Sequence, residues 1–341
     1  MSVNCVETVS AFYGALTSEP SDAARRYLAK DVQWHASSPI NDLEGDARFF
    51  EAYWNPIRAA MPDVEYRPFI RVAGAYDGAL LNGDGAAGNW VNTTGYLAGT
   101  FRNPLFGIPA TGRTLYLRFG ELVRVEGRRI QEGYVILDFI DAMVQAGVSP
   151  VPASLGHPGL ILPPVTMDGI ERPAADACET EKSLALVIDM LEGLGRFDGR
   201  SLLSMDQERY WHPDFMWYGP GGIGTSRGLD GFRAHHQGAF LRAFPVRGVD
   251  RTKCIIADGR YVVAGGWPHM TAIHKGGGWL GLAPTGKQLK MRVMDFWRRE
   301  GELLKENWVS IDIVHILDQL GLDVFAQMRE RLPGGGVGNA I

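Results

Sequence analysis

Apolar positions fall in two rhythms along this chain, and the order of the rhythms repeats. KSLALVIDMLEGLG at 182–195 and GLDGFRAHHQGAFLRAF at 228–244 space them as helices do, the second stopped by Pro245. KCIIADGRYVVAGGWPHMTAIH at 253–274 and LKMRVMDFWRREGELLKENWVSIDIV at 289–314 instead alternate β-branched and aromatic residues around Asp-Gly and Glu-Gly turns, the signature of antiparallel hairpins. Helices followed by a meander predict an α+β unit: helices packed on one face of a curved antiparallel sheet, a cone-shaped barrel enclosing a pocket.

The unit is written twice. Adding 183 to positions 27–62 pairs Trp34 with Trp217, Gly45 with Gly228, Phe49 with Phe232 and Pro62 with Pro245. Adding 174 to positions 111–147 pairs Arg118 with Arg292, Asp138 with Asp312 and Gly147 with Gly321. The offset falls by nine, so the first copy carries nine extra residues, placed in the Gly-rich NGDGAAGN at 82–89. The expected organisation is a first domain at 1–150, a Pro/Gly-rich linker at 151–175, a second domain at 176–333 and a flexible tail at 334–341.

Composition narrows the function. The 341 residues carry a formal charge of −5, which gives no attraction to nucleic acid, and no apolar run is long enough to span a bilayer. Three scattered cysteines and an N-terminus without a basic region point to the cytoplasm. GLAPTGK at 281–287 approaches a phosphate-binding loop, but Gln288 replaces the Ser or Thr, and GIPATGR at 107–113 repeats it, which marks a structural turn. Neither a cofactor nor a metal is expected; His269 and His274 lie five apart and would point to opposite faces of a regular strand.

That turn carries a resemblance. GTFRNPLFGIPATGRTL at 99–115 and AIHKGGGWLGLAPTGKQL at 272–289, each followed by a strand pair ending D-x-x-x-x-x-x-Q-x-G, resemble the SnoaL-like polyketide cyclase family of the nuclear-transport-factor-2-like fold. The resemblance implies a general acid or base at Asp138 and Asp312, and a histidine at His274 that copy one replaces by Phe101. It also implies a largely structural first domain, and two units packed as an internal pseudo-dimer, a further homodimer being left open.

Six of the eight histidines lie in copy two, which marks that copy as the reactive half. Asp312 with His274 is the expected catalytic pair. The expected pocket adds His236, Trp217, Tyr218, Asp295, Trp308, Trp267 and Trp279, and in copy one Asp138, Trp34, Tyr53 and Phe101. Asp295 is read more readily as a structural acid paired with Arg292, and whether His235 or His236 faces inward is undecided. The expected function is cofactor-independent acid–base chemistry on a small carbonyl compound: cyclisation, isomerisation or elimination. A non-catalytic small-molecule-binding or scaffold protein is the alternative.

Overall fold

The computed structural model describes residues 2–18 and 21–332, so the tail expected at 334–341 lies outside the described residues. Two units follow one another. The first runs α1 (Ser2–Leu16), β1 (Leu28–Ala36), β2 (Asp42–Glu44), α2 (Gly45–Arg48), α3 (Asn55–Ala60), β3 (Glu65–Tyr76), β4 (Gly88–Thr100), β5 (Thr114–Glu126), β6 (Arg129–Leu137) and α4 (Phe139–Gln145). The second runs α5 (Ala177–Gly195), β7 (Trp211–Tyr218), β8 (Thr225–Arg227), α6 (Gly228–Phe232), α7 (Gly238–Ala243), β9 (Val246–Val249), β10 (Cys254–Asp258), β11 (Tyr261–Ile273), β12 (Gln288–Glu300), β13 (Leu303–Ile311), α8 (Ile313–Leu320) and α9 (Val324–Glu330). Residues 151–175 contribute neither helix nor strand.

Each unit is an α+β cone. The strand orders are β2-β1-β6-β5-β4-β3 and β8-β7-β13-β12-β11-β10, with β9 pairing β11. All neighbours are antiparallel except β1 with β6 and β7 with β13. Register shifts between Pro68 and Ile70 and between Gly266 and Met270 kink the strands and curl the sheets. Between α2 and α3, and between α6 and α7, the helix widens into a π turn, at Phe49–Trp54 and Arg233–Gln237.

Strand alternation assigns the faces. On β5, Glu121 meets Tyr13 of α1 and Tyr66 of β3, so odd positions face the cone interior. Even positions face the other unit: a Cβ on Gly120 would stand 2.6 Å from Ser310 Oγ, closer than any side chain allows. The outer faces of the two sheets therefore pack on each other, β5 against β13 and β6 against β12.

The copies differ most at one hairpin. Residues 77–87 separate β3 from β4, whereas only 259 and 260 separate β10 from β11. The longer loop reaches across to residues 250–253, where the strand equivalent to β3 is interrupted. Asp84 N donates to Thr252 O and Thr252 N to Asn82 O, each at 3.2 Å, while Lys253 Nζ lies 2.5 Å from Asp84 Oδ2.

Candidate active site

The second cone has an opening. A cavity of about 190 Å³ lies at its mouth, lined by Leu155, Ile223, His235, His236, Trp279 and the backbone of Gly222, among others. His236 settles inward from the π turn while His235 is exposed. The His236 ring stacks on Trp217 with centroids 4.3 Å apart and planes 14° from parallel, and burial pushes its pKa down to about 3. Burial thus favours the neutral imidazole.

Below Trp217 the interior becomes polar. Trp217 lies opposite Asn307 in the β7–β13 ladder, and Asn307 Nδ2 donates to Asp295 Oδ1 at 3.2 Å and to Phe296 O at 3.1 Å. Burial raises the Asp295 pKa to about 7, with the Asn307 hydrogen bond opposing it. Asp295 itself is only partly buried. His236 stacked on Trp217, Trp217 opposite Asn307, and Asn307 bonded to Asp295 thus succeed one another inward, ending in a carboxyl whose pKa burial raises to about 7.

Asp312 stands elsewhere. It caps α8 by accepting from His315 N through Oδ1 at 3.0 Å, and its Oδ2 accepts from Ser38 N and from Arg292, both at 3.0 Å. Burial raises its pKa, opposed by Arg292 and the two backbone amides. Arg292 therefore pairs with Asp312 and not with Asp295. Asp138 repeats the arrangement, accepting from Asp141 N at 3.0 Å and Gly221 N at 2.7 Å, with Arg118 3.7 Å away. Both acids stand on the seam between the units.

His274 and Asp312 are not brought together. His274 N bonds Lys287 O and Asp312 N bonds Arg292 O, so they flank β12 from opposite sides at points five residues apart, roughly 17 Å along the strand. His274 is fully buried; its Nε2 meets Gly277 O at 3.1 Å and its Nδ1 faces Thr285 Oγ1 at 3.4 Å, which ties the 274–286 turn. Phe101 holds the same register in copy one, bonded in the same way to Arg113 and Gly112.

Three expected pocket aromatics lie on the outer face. Trp308 stacks on Tyr218 at 5.3 Å and donates from Nε1 to Leu162 O at 2.8 Å. Trp267 lies under Arg292, whose guanidinium carbon is 4.4 Å from the ring centroid. These three pack the seam and the linker. Of the expected residues, His236 and Trp279 line the cavity at the mouth, and Trp217 stacks on His236.

Comparison with known proteins finds one family type in both halves. Residues 204–320 match the family described as SnoaL-like polyketide cyclase, and residues 9–133 the family described as SnoaL-like domain. The chain is a SnoaL-like protein of two tandem domains. Solved structures similar to it include an NTF2-like protein from Burkholderia xenovorans LB400, at 19% identity over 42% of this chain and 98% of that one, TM-score 0.33. TsrD from Streptomyces laurentii is similar at 21% identity over 43% of this chain and 97% of that one, TM-score 0.30. No match among curated proteins reaches significance.

In the first domain of this SnoaL-like protein the cone is filled. Trp34, Phe49 and Tyr53 are at most 1% exposed. Gly133 makes this possible, because a Cβ there would stand 2.3 Å from the Trp34 ring; its counterpart in the second domain is Asn307. On the floor, Tyr13 and Tyr66, stacked at 3.7 Å, both donate to Glu121. Glu121 is the repeat partner of Asp295, and burial lifts its pKa to about 7 against those two hydrogen bonds. A carboxyl whose folded pKa lies above its unfolded one binds its proton more tightly when folded. Stability is then greatest below the unfolded value and falls as pH rises towards 7. Glu121→Gln is expected to be more stable than wild type at pH 8, by on the order of 1–3 kcal/mol, and equal to it at pH 4. Urea unfolding at the two pH values reads this; an equal shift at both would show that ionisation is not the cause.

Proposed function

We propose that the second domain performs acid–base chemistry on a small, mainly apolar carbonyl compound, with Asp295 as the proton carrier. The observation that supports this is the Asp295 carboxyl: on the inner face of the sheet, raised to about 7 by burial, and hydrogen-bonded by the neutral amide of Asn307. A general base for an α-proton needs its pKa near the working pH, and burial brings the Asp295 carboxyl there. His236 presents a neutral ring nitrogen edge to a carbonyl or hydroxyl, and Trp279 with Ile223 offers apolar contact. The chemistry accessible to one base without a cofactor is enolisation, and from it isomerisation, elimination or ring closure.

Proton exchange tests the reading without knowledge of the natural substrate. 2-Tetralone in D2O is expected to lose its α-protons faster with the protein than in buffer, as followed by NMR. Ala239→Trp, which places an indole in the cavity lining, is expected to remove that acceleration. Binding of the ketone without acceleration would instead support a non-catalytic binding protein.

A further inference from the structure

The glycine-rich segment 218–224 of the second domain forms part of the cavity rim through Gly222 and Ile223. Its partners come from the first domain. Gly221 N donates to Asp138 Oδ2 at 2.7 Å, and Gly219 O accepts from Arg118 at 2.5 Å. The packing is tight at Gly221, where a Cβ would stand 2.4 Å from Asp141 N, and close at Gly222, where one would stand 3.3 Å from Val151 and 3.5 Å from Ile140. From the opposite side the linker adds Gly156 N to Ile223 O at 3.0 Å.

We propose that Asp138 and Arg118 are positioning residues for the second domain's cavity, holding its rim across the seam. The inference rests on the reading of the second cone as the ligand site. A duplicated acid thus serves the neighbouring copy. The mirror pair, Asp312 and Arg292, performs the same task on Ser38, Ala36 and Asn41, the rim of the filled first cone. The two pairs share local geometry and differ in what lies beyond the rim they hold, which gives each an internal control.

Serine separates the two jobs of the acid. One hydroxyl can still cap the helix that follows but is too short to reach the second amide. Calorimetric titration of 2-tetralone is expected to show affinity about tenfold weaker in Asp138→Ser and within about twofold of wild type in Asp312→Ser, although both lose comparable Tm. A merely structural seam would give the two variants the same affinity, and that result overturns the proposal. Should Asp138→Ser not fold, Asp138→Asn keeps one acceptor oxygen, and its affinity is expected to fall in the same direction by a smaller factor; unchanged affinity there has the same overturning force. Wild-type protein that fails to bind 2-tetralone, or binding that survives Ala239→Trp, would remove the second cone as the site itself, a different failure from an intact site indifferent to Asp138.

Discussion

Asp295→Asn is expected to lower kcat/KM for proton exchange by about a hundredfold to ten-thousandfold, the range for loss of a positioned general base. Asn has nearly the same shape, and Asn307 can still hydrogen-bond to its amide oxygen, so the cone should keep its geometry. The wild-type pH profile should carry a rising limb centred near 7, because the carboxylate form that accepts the proton appears only above the raised pKa. In Asp295→Asn that limb should be missing. The same raised pKa means that the charged form costs folding energy at pH 8, so the variant should be at least as stable as wild type there, which separates lost chemistry from lost structure. Asp312→Asn is the companion measurement. If it, and not Asp295→Asn, removed the activity, the role would return to Asp312.

Arg292→Met is expected to destabilise the protein by about 3–5 kcal/mol, the usual cost of leaving one member of a buried ion pair alone. Asp312 is 2% exposed and would lose its only side-chain partner among the described residues. Arg292 also donates to Ala36 O and Asn41 Oδ1, so the bonds lost span both domains. Urea denaturation should show a lower midpoint, and the double variant Arg292→Met/Asp312→Asn should recover part of the loss by removing the stranded charge. No recovery would mean that the charge on Asp312 contributes little and that the lost packing on Trp267 dominates.

The repeat was legible because Trp34/Trp217, Phe49/Phe232 and Arg118/Arg292 hold fixed spacings, and a slip of one residue would turn each strand's side chains to the wrong face. The cones followed from it. Which face of each sheet lines the pocket was harder to read. Trp308, Tyr218 and Trp267 look like pocket aromatics because a sheet buried on both sides loses the polar alternation that distinguishes inside from outside. Asp312 and Asp138 stand where a strand gives way to a helix, so strand periodicity no longer says which way they point. Asp295 and Glu121 were legible as a conserved carboxylate position within the repeat, but the sequence did not show that Arg292 belongs to Asp312, nor that Asn307 rather than a charge meets Asp295.

The interlock of residues 82–84 with 250–253 makes the two halves non-interchangeable. Two first domains brought together across the same seam would present two long loops, each facing an uninterrupted β3 with no gap to receive it. Two second domains would present two gaps and nothing to fill them. The fit closes only between unlike halves, so each chain's halves select each other over the same half of a neighbouring chain, and the shape of one hairpin keeps a duplicated fold from pairing like with like.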